Sequence, residues 1–180
     1  HMQFPTSIET ERLILRPWRE SDAAACYRYA KDPRIGLMCG WKPHESEDES
    51  REIIRTVLSA AMQYAVTLKG EDEAIGSIGY HPCGRPEAIG HMELGFWLGE
   101  AHWGNGYIPE AAAAMLQTAF DRGATELWIA HFAENHNSRR VIHKLGFTFR
   151  FADREWFEQI GAEKEVWYYS ILPEDFQSGT

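Results

Sequence analysis

The chain has 180 residues, 44% of them hydrophobic and 25% charged, with 27 acidic against 18 basic side chains and a net charge of −9. That length is enough to bury the core of one domain, and the composition is that of an ordinary globular protein. The acidic balance argues against non-specific nucleic-acid binding and suits a cationic substrate, although solubility alone also accounts for it; no apolar run approaches the length of a membrane span.

His1-Met2 reads as a cloning remnant, and no secretory signal opens the chain. Arg12 to Arg16 alternates as a strand and is stopped by Pro17. Ser21-Asp22 caps a helix over Ala23 to Ala30, with Pro33 just beyond it. Arg34 to Glu45 reads as irregular and contains Met38 and Trp41, which can simply pack in the core. Ser46 with Glu49 three residues later forms a capping box for a second helix reaching about Ala61. Tyr64 to Leu68 and Ala74 to Tyr80 read as a hairpin across the acidic tip Lys69-Gly70-Glu71-Asp72-Glu73. The breaker-rich loop His81 to Pro86 then leads into the strand Ile89 to Leu98, whose apolar run is Met92 to Leu98.

That strand runs into His102-Trp103-Gly104-Asn105-Gly106-Tyr107-Ile108-Pro109-Glu110-Ala111, and then into Ala111 to Phe120, which has Met115, Leu116, Ala119 and Phe120 at helical spacing. Pro109 suits the first turn of a helix, and Gly123 ends it. The pattern is strand, glycine-rich turn, helix N-terminus. Gly104 and Gly106 allow close approach to the backbone, and the amides point outward at the positive end of the helix dipole. Such a turn binds phosphate or pyrophosphate; it can equally be an ordinary strand-to-helix connection. No Lys-Ser or Lys-Thr follows the second glycine and no three-glycine fingerprint is present, so nucleotide triphosphatases and dinucleotide-binding units are set aside.

Glu126 to Phe132 is the next strand, Ser138 to Leu145 a helix ended by Gly146, and Phe147 to Phe151 and Val166 to Leu172 the closing strands. His91, His102, His131, His136 and His143 match no zinc spacing, so no metal site is expected. Cys26, Cys39 and Cys83 form no CxxC pair and fit a reducing, cytoplasmic setting.

The stretch Trp103-Gly104-Asn105-Gly106-Tyr107-Ile108, the stretch Asn135-His136-Asn137-Ser138 with Leu145-Gly146-Phe147, and the opening Glu9-Thr10-Glu11-Arg12-Leu13-Ile14-Leu15-Arg16-Pro17-Trp18 together resemble the GNAT superfamily of N-acetyltransferases. The opening resembles its ribosomal-protein (RimJ/RimL-type) branch. The likeness runs in order from about Ile8 to Leu172. Trp103 stands where the superfamily usually has Arg or Gln, and Ile108 where it has Gly or Ala, departures that leave a backbone cradle intact. The resemblance implies an α/β (α+β) fold in a single domain, with a mixed, mostly antiparallel sheet of six to seven strands, about four flanking helices and a splay at the coenzyme site. It implies acetyl-coenzyme A as donor, a primary amine as acceptor and direct transfer between them. The acceptor is a protein N-terminal α-amine or a small molecule such as a polyamine, amino acid or drug; a non-catalytic acyl-coenzyme A sensor is the alternative from another class. Neither nucleic acid nor membrane is an expected partner, and the state is monomer or homodimer.

The resemblance assigns coenzyme contacts to the backbone near Phe96, Trp97 and Leu98, to the turn residues Trp103, Gly104, Asn105, Gly106, Tyr107 and Ile108, and to Asn135 with its neighbour Asn137. An asparagine before a helix is also an ordinary cap. The resemblance also assigns the acceptor-side wall to the first helical pair and its loop, with Met38 and Trp41 as the candidate substrate residues. Amine acetylation needs a route for the ammonium proton and a donor for the departing thiolate. Ser138 occupies the family position near the sulfur, or caps its helix. Glu93, a carboxylate within the apolar strand, is the candidate base if it faces the cleft, where burial would raise its pKa. Glu134 and His131 are the next candidates for the base, and Glu110 reads as structural, favoured by the helix dipole.

Overall fold

The computed structural model describes residues 3–176, so the remnant His1-Met2 lies outside the described residues. Eight segments pair into one sheet: β1 (Ile8–Glu9), β2 (Leu13–Arg16), β3 (Gln63–Leu68), β4 (Gly76–Pro82), β5 (Met92–Leu98), β6 (Leu127–Phe132), β7 (Thr148–Phe157) and β8 (Ala162–Ile171). Their spatial order is β1-β2-β3-β4-β5-β6-β8-β7. Every neighbouring pair is antiparallel except β5 and β6, which run parallel because helix-bearing chain crosses between them. The expected mixed, mostly antiparallel sheet is present, with one strand beyond the expected range because the two-residue β1 adds an edge.

The α-helices are α1 (Ala23–Ala30), α2 (Pro33–Cys39), α3 (Glu47–Ile53), α4 (Tyr107–Asp121) and α5 (His136–Leu145). Helix α2 corrects the irregular reading of Arg34 to Glu45. Pro33 does not merely follow a helix; it occupies the first turn of the next one. The Asp32 side chain accepts from the Arg34 amide, and Gly40 ends the helix in the left-handed region. Helix α3 is followed by a π-helical turn, Ile54–Leu58, so helical backbone stops at Leu58 rather than about Ala61.

The two sheet faces bury different cores. On one, α4 lays Ala111, Ala112, Met115, Leu116 and Ala119 against Leu94, Leu98, Ile129 and Ile171. Met115 and Leu116 are fully buried, each worth about 1.5–3 kcal/mol relative to exposure. The Tyr80 hydroxyl donates to the Met115 carbonyl at 3.0 Å and ties helix to sheet. On the other face α1 and the α3 region pack Cys26, Ala30 and Ile54 against Ala65 and Ala74, and a separate cluster around Trp128, Phe132, Val166 and Tyr168 lies toward the β7 edge. Between these clusters the second face is left uncovered, and the cleft described below occupies that space. No helix among the described residues is long and apolar enough to cross a membrane.

Candidate active site

The sheet opens at its parallel pair. Register between β5 and β6 runs Met92–Leu127, Glu93–Trp128 and Leu94–Ile129 and then stops. Beyond that point β5 stays with β4 as far as Leu98, and β6 stays with β8 as far as Phe132. The Gly99 amide donates to the Ile75 carbonyl at 2.7 Å, which fixes the phase of the β4–β5 ladder. Alternation then turns the backbone groups of Trp97 toward β4 and those of Phe96 and Leu98 into the gap. Of the three neighbouring amides expected to face a coenzyme arm, the geometry thus offers two, and Trp97 contributes its side chain instead.

The gap leads to the glycine-rich turn. Gly104 and Gly106 have φ of +83° and +79°, conformations that L side chains rarely adopt. The first bond of α4 runs from the Glu110 amide to the Gly106 carbonyl, which leaves the Tyr107 and Ile108 amides at the open N-terminus. Neighbouring side chains brace this turn. Trp103 Nε1 donates to the Leu98 carbonyl at 2.7 Å, and Asn105 Nδ2 donates to the His102 carbonyl at 3.1 Å. Ile108 buries its side chain in the core, so its amide is what it can present.

Arg12 belongs to this turn and was not identified as a site residue from the sequence. Its Nη2 lies 3.5 Å from where a Cβ on Gly106 would be, and its guanidinium sits over the Tyr107 ring at 4.7 Å. Glu110 holds it, accepting from Arg12 Nε at 2.7 Å, from the Arg12 amide at 2.8 Å and from the Thr10 hydroxyl at 2.6 Å. Burial works to raise the Glu110 pKa, but these donors outweigh it and hold the carboxyl below its usual range. Glu110 thereby holds the Arg12 cation beside the glycine-rich turn. Left-handed glycines, open amides and a held arginine fit a pyrophosphate.

On the other side of the gap lies a cleft of about 770 Å³. Met38 and Trp41 line one wall, and Phe96, Trp97, Glu93, Asn135 and Ser138 also face it. The Glu93 side chain is 19% exposed. Burial pushes its carboxyl above the usual range; His81, 3.8 Å away, pulls it back, and Glu155 adds to the rise. A carboxylate so placed is a stronger base than an exposed one.

Asn135 is the N-cap of α5: its Oδ1 accepts from the Ser138 amide at 3.1 Å. The helix accordingly starts at His136 rather than Ser138, and the serine is not the cap. Ser138 lines the cleft. Asn137 turns outward and accepts from Arg140. The alternative bases each have other partners, although His131 also lines the cleft. Glu134 pairs with Lys164 at 2.9 Å, which lowers its pKa. His131 is buried, accepts at Nε2 from the Tyr169 hydroxyl at 2.9 Å and donates from Nδ1 to the Phe132 carbonyl at 2.6 Å. Burial lowers its pKa and keeps the ring neutral. Among the described residues no group of three or more His, Cys, Asp or Glu is arranged to hold a metal.

The far end of the cleft is built by residues that sequence reading left out. Arg85 reaches Asp153 at 2.7 Å, Glu87 at 3.3 Å and Glu155 at 3.4 Å, and lies over the Phe151 and Tyr168 rings. Glu155 also accepts from the Tyr168 hydroxyl at 2.6 Å. These groups come from the loop after β4 and from β7 and β8, far apart in the chain.

The profile of the acetyltransferase (GNAT) domain matches residues 12–148. Over 175 residues the chain is 26% identical to the uncharacterised N-acetyltransferase YoaA of Bacillus subtilis (strain 168), covering 94% of this chain and 97% of that protein. An acetyltransferase of the GNAT family from Bacillus anthracis superposes with a TM-score of 0.81 at 25% identity, over 93% of this chain and 99% of that one. The ribosomal-protein-S5-alanine acetyltransferase of Vibrio fischeri shares the fold, with a TM-score of 0.71 at 22% identity over 96% and 100% of the two chains.

Proposed function

This chain belongs to the acetyltransferase (GNAT) family and is an N-acetyltransferase, and from that premise we propose that it moves acetyl directly from acetyl-coenzyme A to a primary amine in the cleft. When bound, acetyl-coenzyme A supplies an acetyl thioester. The Gly104–Ile108 turn with Arg12 holds its pyrophosphate, and the Phe96 and Leu98 amides receive its arm as an added strand. Glu93 takes the proton from the acceptor ammonium, which exposes the nitrogen lone pair. Ser138, whose hydroxyl is free of capping duty, donates toward the departing sulfur. The observation that carries this reading is that Phe96, Glu93, Asn135 and Ser138 all border one cleft, with the carboxyl of Glu93 raised by burial. Both a protein N-terminal α-amine and a small amine satisfy this chemistry. The Vibrio fischeri likeness, at 22% identity, carries the fold alone and does not choose between them. Three free thiols support a reducing compartment.

Thiol release from acetyl-coenzyme A with a panel of amines tests the reading. Release above the amine-free blank is expected, and it is an outcome that a non-catalytic sensor would not give. Ser138→Ala is expected to lower kcat by roughly tenfold or more while coenzyme Kd, from calorimetry, stays within about twofold. Because Asn135 caps the helix, its melting temperature should barely move. Unchanged turnover would remove Ser138 from the chemistry.

A further inference from the structure

We infer that the acceptor is a compact alkyl- or arylalkylamine without a carboxylate, and not the N-terminus of a protein; this rests on the acetyl-transfer reading above and names its substrate class. The first observation is that the two walls of the cleft touch. Gly40, at the end of α2, has a φ of +89° and packs so closely on Phe157 that a Cβ there would lie 2.6 Å from the ring. Two residues on, the Lys42 amide donates to Gln159 Oε1 at 3.1 Å. Phe157 in turn meets Phe132 edge-on, with ring centroids 4.9 Å apart. The loop after α2 is thereby bridged to the tip of the β7–β8 hairpin. A chain trailing from a peptide α-amine meets this bridge on that side of the cleft, where a compact amine does not.

The second observation is the floor. Gly79 and Gly95 are Cα partners on β4 and β5 and both border the cleft. A Cβ on Gly95 would meet nothing closer than His81 Cε1, at 3.8 Å. Gly95 leaves a bare patch of floor for an apolar body, while the Gln63 side chain covers Gly79 and leaves no room for a Cβ there; Trp41 and Trp97, 6.0 Å apart and edge-to-face, line the same cleft. Aromatic walls of this kind take aryl or alkyl groups and also attract an ammonium.

The third observation is charge. Glu93 and Glu155 face the cleft, and Arg85 is its one lysine or arginine among the described residues. Nε, Nη1 and Nη2 of Arg85 are each already within 3.4 Å of a carboxylate oxygen, of Glu87, Glu155 and Asp153. A carboxylate on the acceptor would find no free guanidinium and two like charges, whereas an ammonium is drawn in.

The test compares 2-phenylethylamine, phenylalanine and an alanyl hexapeptide with a free N-terminus, by thiol release and intact mass. The expected kcat/KM for 2-phenylethylamine exceeds that for either competitor by roughly tenfold or more, a discrimination a shaped, charged pocket readily supplies. Gly95→Val fills the floor and should raise KM for 2-phenylethylamine by about tenfold with coenzyme affinity unchanged by calorimetry. Gln159→Ala loosens the bridge at an exposed position and should raise peptide turnover relative to amine turnover. Peptide or phenylalanine turnover at or above that of 2-phenylethylamine overturns the inference and leaves acetyl transfer standing. No thiol release with any amine, in enzyme that binds acetyl-coenzyme A, overturns both.

Discussion

Gly106→Val is expected to abolish measurable binding of acetyl-coenzyme A, a loss of at least about a hundredfold in Kd. Gly106 sits at φ +79° as the N-cap of α4, a conformation a β-branched residue resists. The cost of forcing it, roughly 1–2 kcal/mol, can be met by shifting the turn, and any shift moves the Tyr107 and Ile108 amides off their target. If the backbone holds instead, the new side chain enters the space beside Arg12 where a phosphate would lie. Either route damages the anion site, while the α4 core of Met115 and Leu116 is untouched. Calorimetry on a variant with native circular dichroism decides: unchanged affinity would refute the assignment of this turn to the pyrophosphate.

The backbone of this turn is legible in the sequence because its glycines and the helix that follows are local. Two glycines precede an alanine-rich run, and the Asn135-to-Gly146 helix is likewise bounded by its own cap and stop. Helix α2 was missed because Pro33 satisfies both a stop and a first-turn position, and only the Asp32 cap distinguishes them. β7 and β8 extend to Phe157 and back to Ala162, well past the expected Phe151 and Val166, because β7 is exposed along most of its length and carries no apolar alternation to read. That hairpin supplies Glu155 and Phe157 to the cleft. Arg12 and Glu110 meet across 98 residues, and Arg85 meets Asp153 across 68; no short-range pattern announces such pairs. The amides of Phe96, Trp97 and Leu98 were grouped as neighbours, whereas alternation in a strand divides them.

Glu93→Gln is expected to lower turnover by roughly 10²–10⁴-fold, the usual contribution of a positioned base, with coenzyme affinity nearly unchanged. The wild-type rate at saturating amine should rise with pH through a value above the ordinary glutamate pKa of about 4.3, because burial, helped by Glu155, favours the protonated form over the pull of His81. The variant should lose that acidic limb. Stability supplies an independent reading of the same group. A carboxyl raised in the folded state contributes stability that is complete below its unfolded pKa and is lost as pH rises through its folded pKa. At pH 7 the wild type therefore bears the cost of an ionised, mostly buried carboxylate, and glutamine removes it. The variant should melt higher than wild type at pH 7, and the difference should disappear below about pH 4. A variant that is more stable yet fully active would make Glu93 a buried carboxylate without a catalytic part. One that is more stable and inactive would show a destabilising charge retained for chemistry. The depth of the loss also bears on the acceptor. An alkylamine near pKa ~10 is almost wholly protonated at neutral pH and needs the base, while a peptide α-amine near ~8 is already neutral in appreciable fraction. A steep loss in the variant would therefore support a basic alkylamine as acceptor, and a shallow one a peptide α-amine.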